Sequence, residues 1–291
     1  MAKSALLKSS IAKKYWMSFT GLFLCLFLAG HLAGNLQLIF GTPLQFNEYA
    51  LFMTTNPAVK LLSYVTYISI LFHAVDGILL TIQNRKARPI GYVKENAGAN
   101  SSFASRNMAI LGTFILVFIV THMNNFWAKM HFDQNMPLMT KTIVTPSNPA
   151  GDTFYVGTEV GKYYQVAQVQ TPQMNDSLAS PNMQYILKNR TEVYFKGADV
   201  KAGDVYKDLY KITVDFFKDP KYGLFYTLGY VLAMLVLAFH LLHGFASAFQ
   251  SIGATNPKYT PTIKLAGKAF AILVPLLFAI VPLYIHFILK A

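Results

Sequence analysis

Five apolar runs, each long enough to cross a bilayer, constrain this chain more than any other feature. They lie at 17–40, 60–82, 108–128, 223–249 and 265–289. A hydrocarbon core of about 30 Å is crossed by about 20 helical residues. The runs therefore predict an all-α integral membrane protein with five transmembrane helices. Pro43, Pro57, Pro89, Pro257 and Pro261 fall between runs, while Pro275 and Pro282 lie inside the fifth and predict a bend. The first run is longer than a signal-peptide core and no A-x-A-like site ends it, so it reads as an uncleaved span.

Composition agrees with that reading. Charged residues are only 13% of the chain and apolar residues 54%, which excludes a disordered chain and argues against a water-soluble globule. The one cysteine, Cys25, excludes a disulfide scaffold, a Cys-based zinc site, an iron–sulfur cluster and a covalently attached c-type haem. The net charge of +12 would suggest nucleic acid, but the basic residues are sorted by loop. Lys3, Lys8, Lys13 and Lys14 precede the first run. Arg85, Lys86, Arg88, Lys94 and Arg106 separate the second from the third, opposed only by Glu95, and Lys258 and Lys264 precede the fifth. The segment between the first and second runs carries only Glu48. The positive-inside rule then puts the N-terminus and basic loops in the cytoplasm and the C-terminus outside. The charge is a topology signal and a contact for anionic lipid or a cytoplasmic partner, with no nucleic acid implied.

The segment 130–222 differs, since its ten acids and ten bases cancel. Alternating patches at 153–156, 163–170 and 192–195 predict strands or β-hairpins in an extracytoplasmic insertion within a single membrane domain, 1–291. The stretch 204–218 reads as an amphipathic helix leading into the fourth span. Asn175-Asp-Ser177 and Asn189-Arg-Thr191 match the short glycosylation pattern.

Four of seven histidines sit inside four different runs: His31, His73, His122 and His240. An ionisable side chain at such depth is costly, and it marks either function or a neutral ring hydrogen-bonded across a helix interface. His31, His73 and His122 each lie roughly 20 Å along their helix, and His240 slightly deeper. Consecutive spans run in opposite directions, so His31 and His122 fall in the outer half and His73 and His240 in the inner half. The two layers are about 10 Å apart. Helix bundles build cofactor sites from such inward-facing side chains. Zinc would need further ligands in each layer, whereas haem iron needs one imidazole on each side and flat space beside it. Glycine supplies such space, and His73-x-x-x-Gly77 and His240-x-x-x-Gly244 share one spacing, while Gly30 and Gly34 bracket His31. Small residues at this spacing also mediate ordinary helix contacts. His243 rivals His240, which is preferred because its spacing to Gly244 reproduces that of His73 to Gly77. His131 and His286 fall at the outer boundary, where amphipathic rings are ordinary. Asp76 is the one acid inside a run. Glu48, in the short outer loop, is a candidate quinone-site carboxylate. Ser18, Arg106, Lys14 and Trp16 are candidates to meet haem propionates.

With these residues in place the chain resembles the cytochrome b membrane subunit of succinate:quinone oxidoreductases, of the five-helix, two-haem type made as one polypeptide. The resemblance rests on His31 with Gly34, His73-x-x-x-Gly77, Thr121-His122 and Phe239-His240-x-x-x-Gly244. The stretch HLLHGFASAFQSIG at 240–253, followed by Asn256-Pro257, resembles the version in Bacteroidetes-type bacteria. The resemblance implies that the first four helices form a dihaem bundle. His73 and His240 would hold a proximal haem b, and His31 and His122 a distal one. It further implies flavoprotein and iron–sulfur subunits docked on the cytoplasmic face, quinone (menaquinone) as electron partner, and a bacterial inner-membrane location. Ser18 matches a first-helix serine that contacts the proximal propionates, and Glu48 matches an outer quinone-site acid by position. The insertion 130–222 departs from better-known members, as does His243. The chain carries no Rossmann fingerprint and no cluster-forming cysteines, so it would not turn over succinate or fumarate alone. Two other readings use the same residues. One is a dihaem b subunit of a formate dehydrogenase or hydrogenase type complex, and the other a non-haem transporter whose His and Asp relay protons or bind a metal.

Overall fold

The computed structural model describes residues 9–87, 89–90, 96, 99, 101–146, 148–174 and 181–290. Lys3, Lys8, Arg88, Lys94, Glu95 and the Asn175 motif lie outside the described residues. Among the described residues five helices are long and apolar enough to cross a membrane: Ile11–Phe40, Pro57–Ala87, Met108–Phe132, Gly223–Ser251 and Thr260–Ile288. Their regular α-helical parts are α1 (Ser10–Asn35), α2 (Pro57–Ala87), α3 (Met108–His122), α4 (Gly223–Ser251) and α5 (Thr260–Leu283). The third span continues as a π-helical turn, Met123–Ala128, and a short helix, Lys129–Phe132. The fifth keeps its helical pattern through Pro275 and Pro282 and widens to a π-helical turn at Tyr284–Ile288.

Local chemistry starts these helices where the sequence breaks. The Ser9 hydroxyl accepts from the Ala12 amide ahead of α1. The Asn56 side chain accepts from the Ala58 and Val59 amides, with Pro57 as the first helical residue of α2. Within the spans, hydroxyls turn back on their own helix: Ser18 donates to the Lys14 carbonyl, Thr66 to Leu62 and Thr81 to Gly77. A polar group among apolar neighbours needs such a partner. Leu26, Leu61, Phe114, Phe225 and Leu265 are 62–72% exposed, an outward apolar surface that suits hydrocarbon and not water.

The chain divides into two compact units: Met1–Ile39, Asn56–Thr121 and Phe217–Ala291 form one, Phe40–Thr55 and His122–Phe216 the other. In the first unit the core is built from Cys25, Met234, Leu237, Leu241, Ala271 and Ala279, with Leu28, Ile115, Phe118 and Phe278 packed around it. The fifth helix is thus part of the core and not an appendage to the first four. Small residues let its backbone approach: a methyl group on Gly267 would lie 2.6 Å from Phe245 Cδ1. Gly267→Ala should therefore lower stability by about 1–3 kcal/mol through overpacking. Gly229→Ala meets nothing within 4 Å and should be neutral or gain up to about 1 kcal/mol of helix propensity. Unfolding midpoints of the two variants in detergent check the contrast.

The second unit carries the strands expected of the insertion, so the protein is mostly helical but not all-α. Beside a helix at Pro43–Thr55 and another at Leu209–Phe217 it contains two sheets. The first is antiparallel, β1 (Thr140–Thr145), β2 (Asn148–Val156) and β3 (Tyr163–Gln165), in that order. In the second, β4 (Val169–Gln170) pairs parallel with β5 (Tyr185–Lys188), followed by antiparallel β6 (Glu192–Phe195) and β7 (Lys201–Asp204). Tyr164, Val169, Leu187, Val193 and Val205 form a separate small core, which is why these alternating segments pair instead of remaining loop. Asn189 and Arg190 turn the β5–β6 hairpin with positive φ, 47° and 74°. The Asn189 amide donates to Glu192 and the Arg190 guanidinium to the Met130 and His131 carbonyls. The Asn189 motif is therefore engaged in building a turn.

Candidate functional site

The site is built first from two histidines. His73 on α2 and His240 on α4 face each other with ring centroids 6.2 Å apart and planes at 66°. Two imidazoles bound to opposite sides of one metal ion, with metal–nitrogen bonds of about 2 Å, have centroids about 6 Å apart. It is His240, and not half-buried His243, whose ring meets His73.

The other two helices supply room. On α1, a methyl group at Gly21 would lie 3.2 Å from His73 Cε1, and on α3 one at Gly112 would lie 3.8 Å from His240 Cε1. The Thr20 hydroxyl of α1 is 3.3 Å from His73 Nδ1. The Nδ1 atom of His240 is buried and has no hydrogen-bond partner. Such an orphaned ring nitrogen costs free energy in an apolar interior unless something else engages the ring. Among the described residues no three His, Cys, Asp or Glu side chains converge. Two facing imidazoles fit a porphyrin, which brings four nitrogens of its own.

The glycines singled out by spacing are not explained by protein packing. A methyl group on Gly244 or Gly30 would meet nothing within 4 Å, and one on Gly77 only Met17 Cε at 3.8 Å. Gly34 is buried. A glycine inside a helix costs about 1 kcal/mol relative to alanine, so close helix contact does not account for Gly77 and Gly244.

His31 and His122 belong to different units, and each has its own aromatic surroundings. The His31 ring stacks on Phe27 at 5.3 Å and lies 5.7 Å from Phe278 of α5. Its Nε2 accepts from the Asn35 amide at 3.4 Å. The His122 ring is 5.3 Å from Phe126.

The remaining candidates take varied positions. Ser18 is buried and its proton goes to the Lys14 carbonyl. Arg106 is exposed and its guanidinium bonds the Ser101 carbonyl. Lys14 and Trp16 are exposed. Asp76 lies within electrostatic reach of Lys13 and His73. Glu48 is exposed on the Pro43–Thr55 helix, and after burial its charge is what raises the Tyr206 phenol above its usual range. Beside it Asn47 is 1% exposed, donating to Asp208 and accepting from the Tyr210 amide. His131 and His286 donate Nδ1–H to the carbonyls of Trp127 and Phe217, a structural use.

Sequence reasoning missed Thr20, Gly21 and Gly112. Their signal was present, a hydroxyl and small residues in otherwise bulky apolar runs, but depth alone did not say which faced a histidine. Comparison with protein-family models, curated proteins and solved structures finds no match to this chain.

Proposed function

We propose that this chain is the membrane-anchor cytochrome b subunit of a succinate:quinone oxidoreductase, passing electrons between an iron–sulfur subunit and a quinone, menaquinone by resemblance. The facing of His73 and His240 carries the reading. It supports the assignment of these two rings as axial ligands of one b haem. Haem iron, cycling between ferric and ferrous forms, supplies the one-electron chemistry.

The chain's residues have distinct tasks in this reading. His73 and His240 hold the inner haem, while Gly77 and Gly244 leave it space. His31 and His122 hold the second, an assignment resting on their sequence depth and on the family resemblance. Ser18 and Arg106 meet propionates, and Ser18 does so by turning its proton away from the Lys14 carbonyl. Glu48 takes up protons at an outer quinone site. The basic loops dock the iron–sulfur subunit on the cytoplasmic face of a bacterial inner membrane, and the apolar wall excludes water from the electron path.

Purification of the chain with its natural partner subunits tests the assignment to this complex. Succinate should reduce the haems, read as the reduced visible spectrum, and fumarate should reoxidise them. Reduction by formate or hydrogen, with no response to succinate, would assign the chain to the other quinone-linked complexes.

A further inference from the structure

The two inner histidines are not held alike. His240 has a buried Nδ1 with no partner, whereas His73 Nδ1 sits 3.3 Å from Thr20 Oγ1. The chemistry of Thr20 fixes the direction of that contact. A hydroxyl has one proton and two lone pairs. Thr20 Oγ1 lies 2.8 Å from the Trp16 carbonyl oxygen and 3.2 Å from that of Met17, both nearer than His73, so its proton goes to its own helix. Toward His73 its oxygen is therefore the acceptor, and the ring nitrogen is the donor. Thr20 is 8% exposed, so no solvent competes for either bond.

The residue after Thr20 completes the seat. A methyl group at Gly21 would lie 3.2 Å from His73 Cε1 and 3.6 Å from Nδ1, so the ring lies against the α1 backbone itself. A side chain at this position would press the ring back from this approach. One helix thus supplies the Thr20 hydroxyl oxygen as an acceptor for Nδ1, the Met17 carbonyl as a second acceptor for the ring, and a flat surface for the ring edge.

We infer that Thr20, seated beside Gly21, is a positioning residue that fixes His73 in its Nδ1–H tautomer and presents Nε2 as the ligating nitrogen. The inference rests on the haem reading above for its ligand, and it deepens that reading by making the two axial ligands inequivalent. An acceptor on the far nitrogen orients an imidazole ligand and raises its basicity. A more basic ligand favours ferric over ferrous iron, so loss of the acceptor raises the midpoint potential of that haem.

The test compares the purified full-length chain as wild type, Thr20→Val and Thr20→Ser. Valine keeps the shape and removes the acceptor, while serine restores it. Potentiometric titration should show one haem potential shifted upward in Thr20→Val, the other unmoved, and the shifted one restored in Thr20→Ser. Loss of one haem in Thr20→Val that Thr20→Ser recovers supports the inference equally. Identical potentials and haem contents in all three chains overturn it. A wild-type chain without haem refutes the functional reading, and nitrogen-15 shifts of the histidine rings then decide the inference. A ring protonated on Nδ1 that Thr20→Val converts supports it, and a His73 ring protonated on Nε2 in both chains overturns it.

Discussion

Replacing His73 or His240 with alanine should remove one b haem and leave the other, halving the haem absorbance of the chain. Iron held between two imidazoles loses an axial ligand outright when either is truncated, and no third donor stands ready among the described residues. His243→Ala should leave both haems in place, because its ring is not the one that meets His73. Reduced-minus-oxidised difference spectra, scaled by extracted haem, check all three variants. Loss of a haem in His243→Ala with retention in His240→Ala would reverse the ligand assignment.

Gly244→Leu should also cost one haem while sparing the protein fold. In a helix each side chain leans toward the N-terminus, so a leucine at 244 would project over the turn that carries His240. Protein packing gives no objection, since a methyl there meets nothing within 4 Å. Replacing a helix-interior glycine also gains about 1 kcal/mol of propensity. The expected pair of results is thus an unfolding midpoint equal to or above wild type, measured on haem-free protein, and haem content reduced by half. Gly77→Leu should behave similarly, with Met17 shifting to make way. A Gly244→Leu chain that retains both haems would assign the glycine to another purpose.

The difference between what was legible and what was not has a physical basis. Span number and histidine depth follow from counting, because a helix rises by a fixed 1.5 Å per residue. Rotational phase does not follow. Runs such as that of α3, apolar on every side, carry no stripe that says which face turns inward. The contacts of Thr20 and Gly21 with His73, and of Gly112 with His240, depend on that phase and emerged only from packing. The same limit applies to His31, whose depth was readable but whose stacking on Phe27 and approach to Phe278 were not. In the segment 130–222 the alternation marked strands correctly at 153–156 and 192–195, within β2 and β6. The partners were not legible. The parallel joining of β4, two residues long, to β5 is decided by the small core around Val169 and Leu187 and not by local pattern.

In the proposed function, imidazoles from these spans ligate iron porphyrin. A visible spectrum of the purified chain before and after dithionite, with haem extracted and counted against protein, tests it most directly. Two b-type haems per chain are predicted. A chain that is folded and colourless after expression with ample haem would contradict the account and leave the non-haem transporter as the reading to pursue.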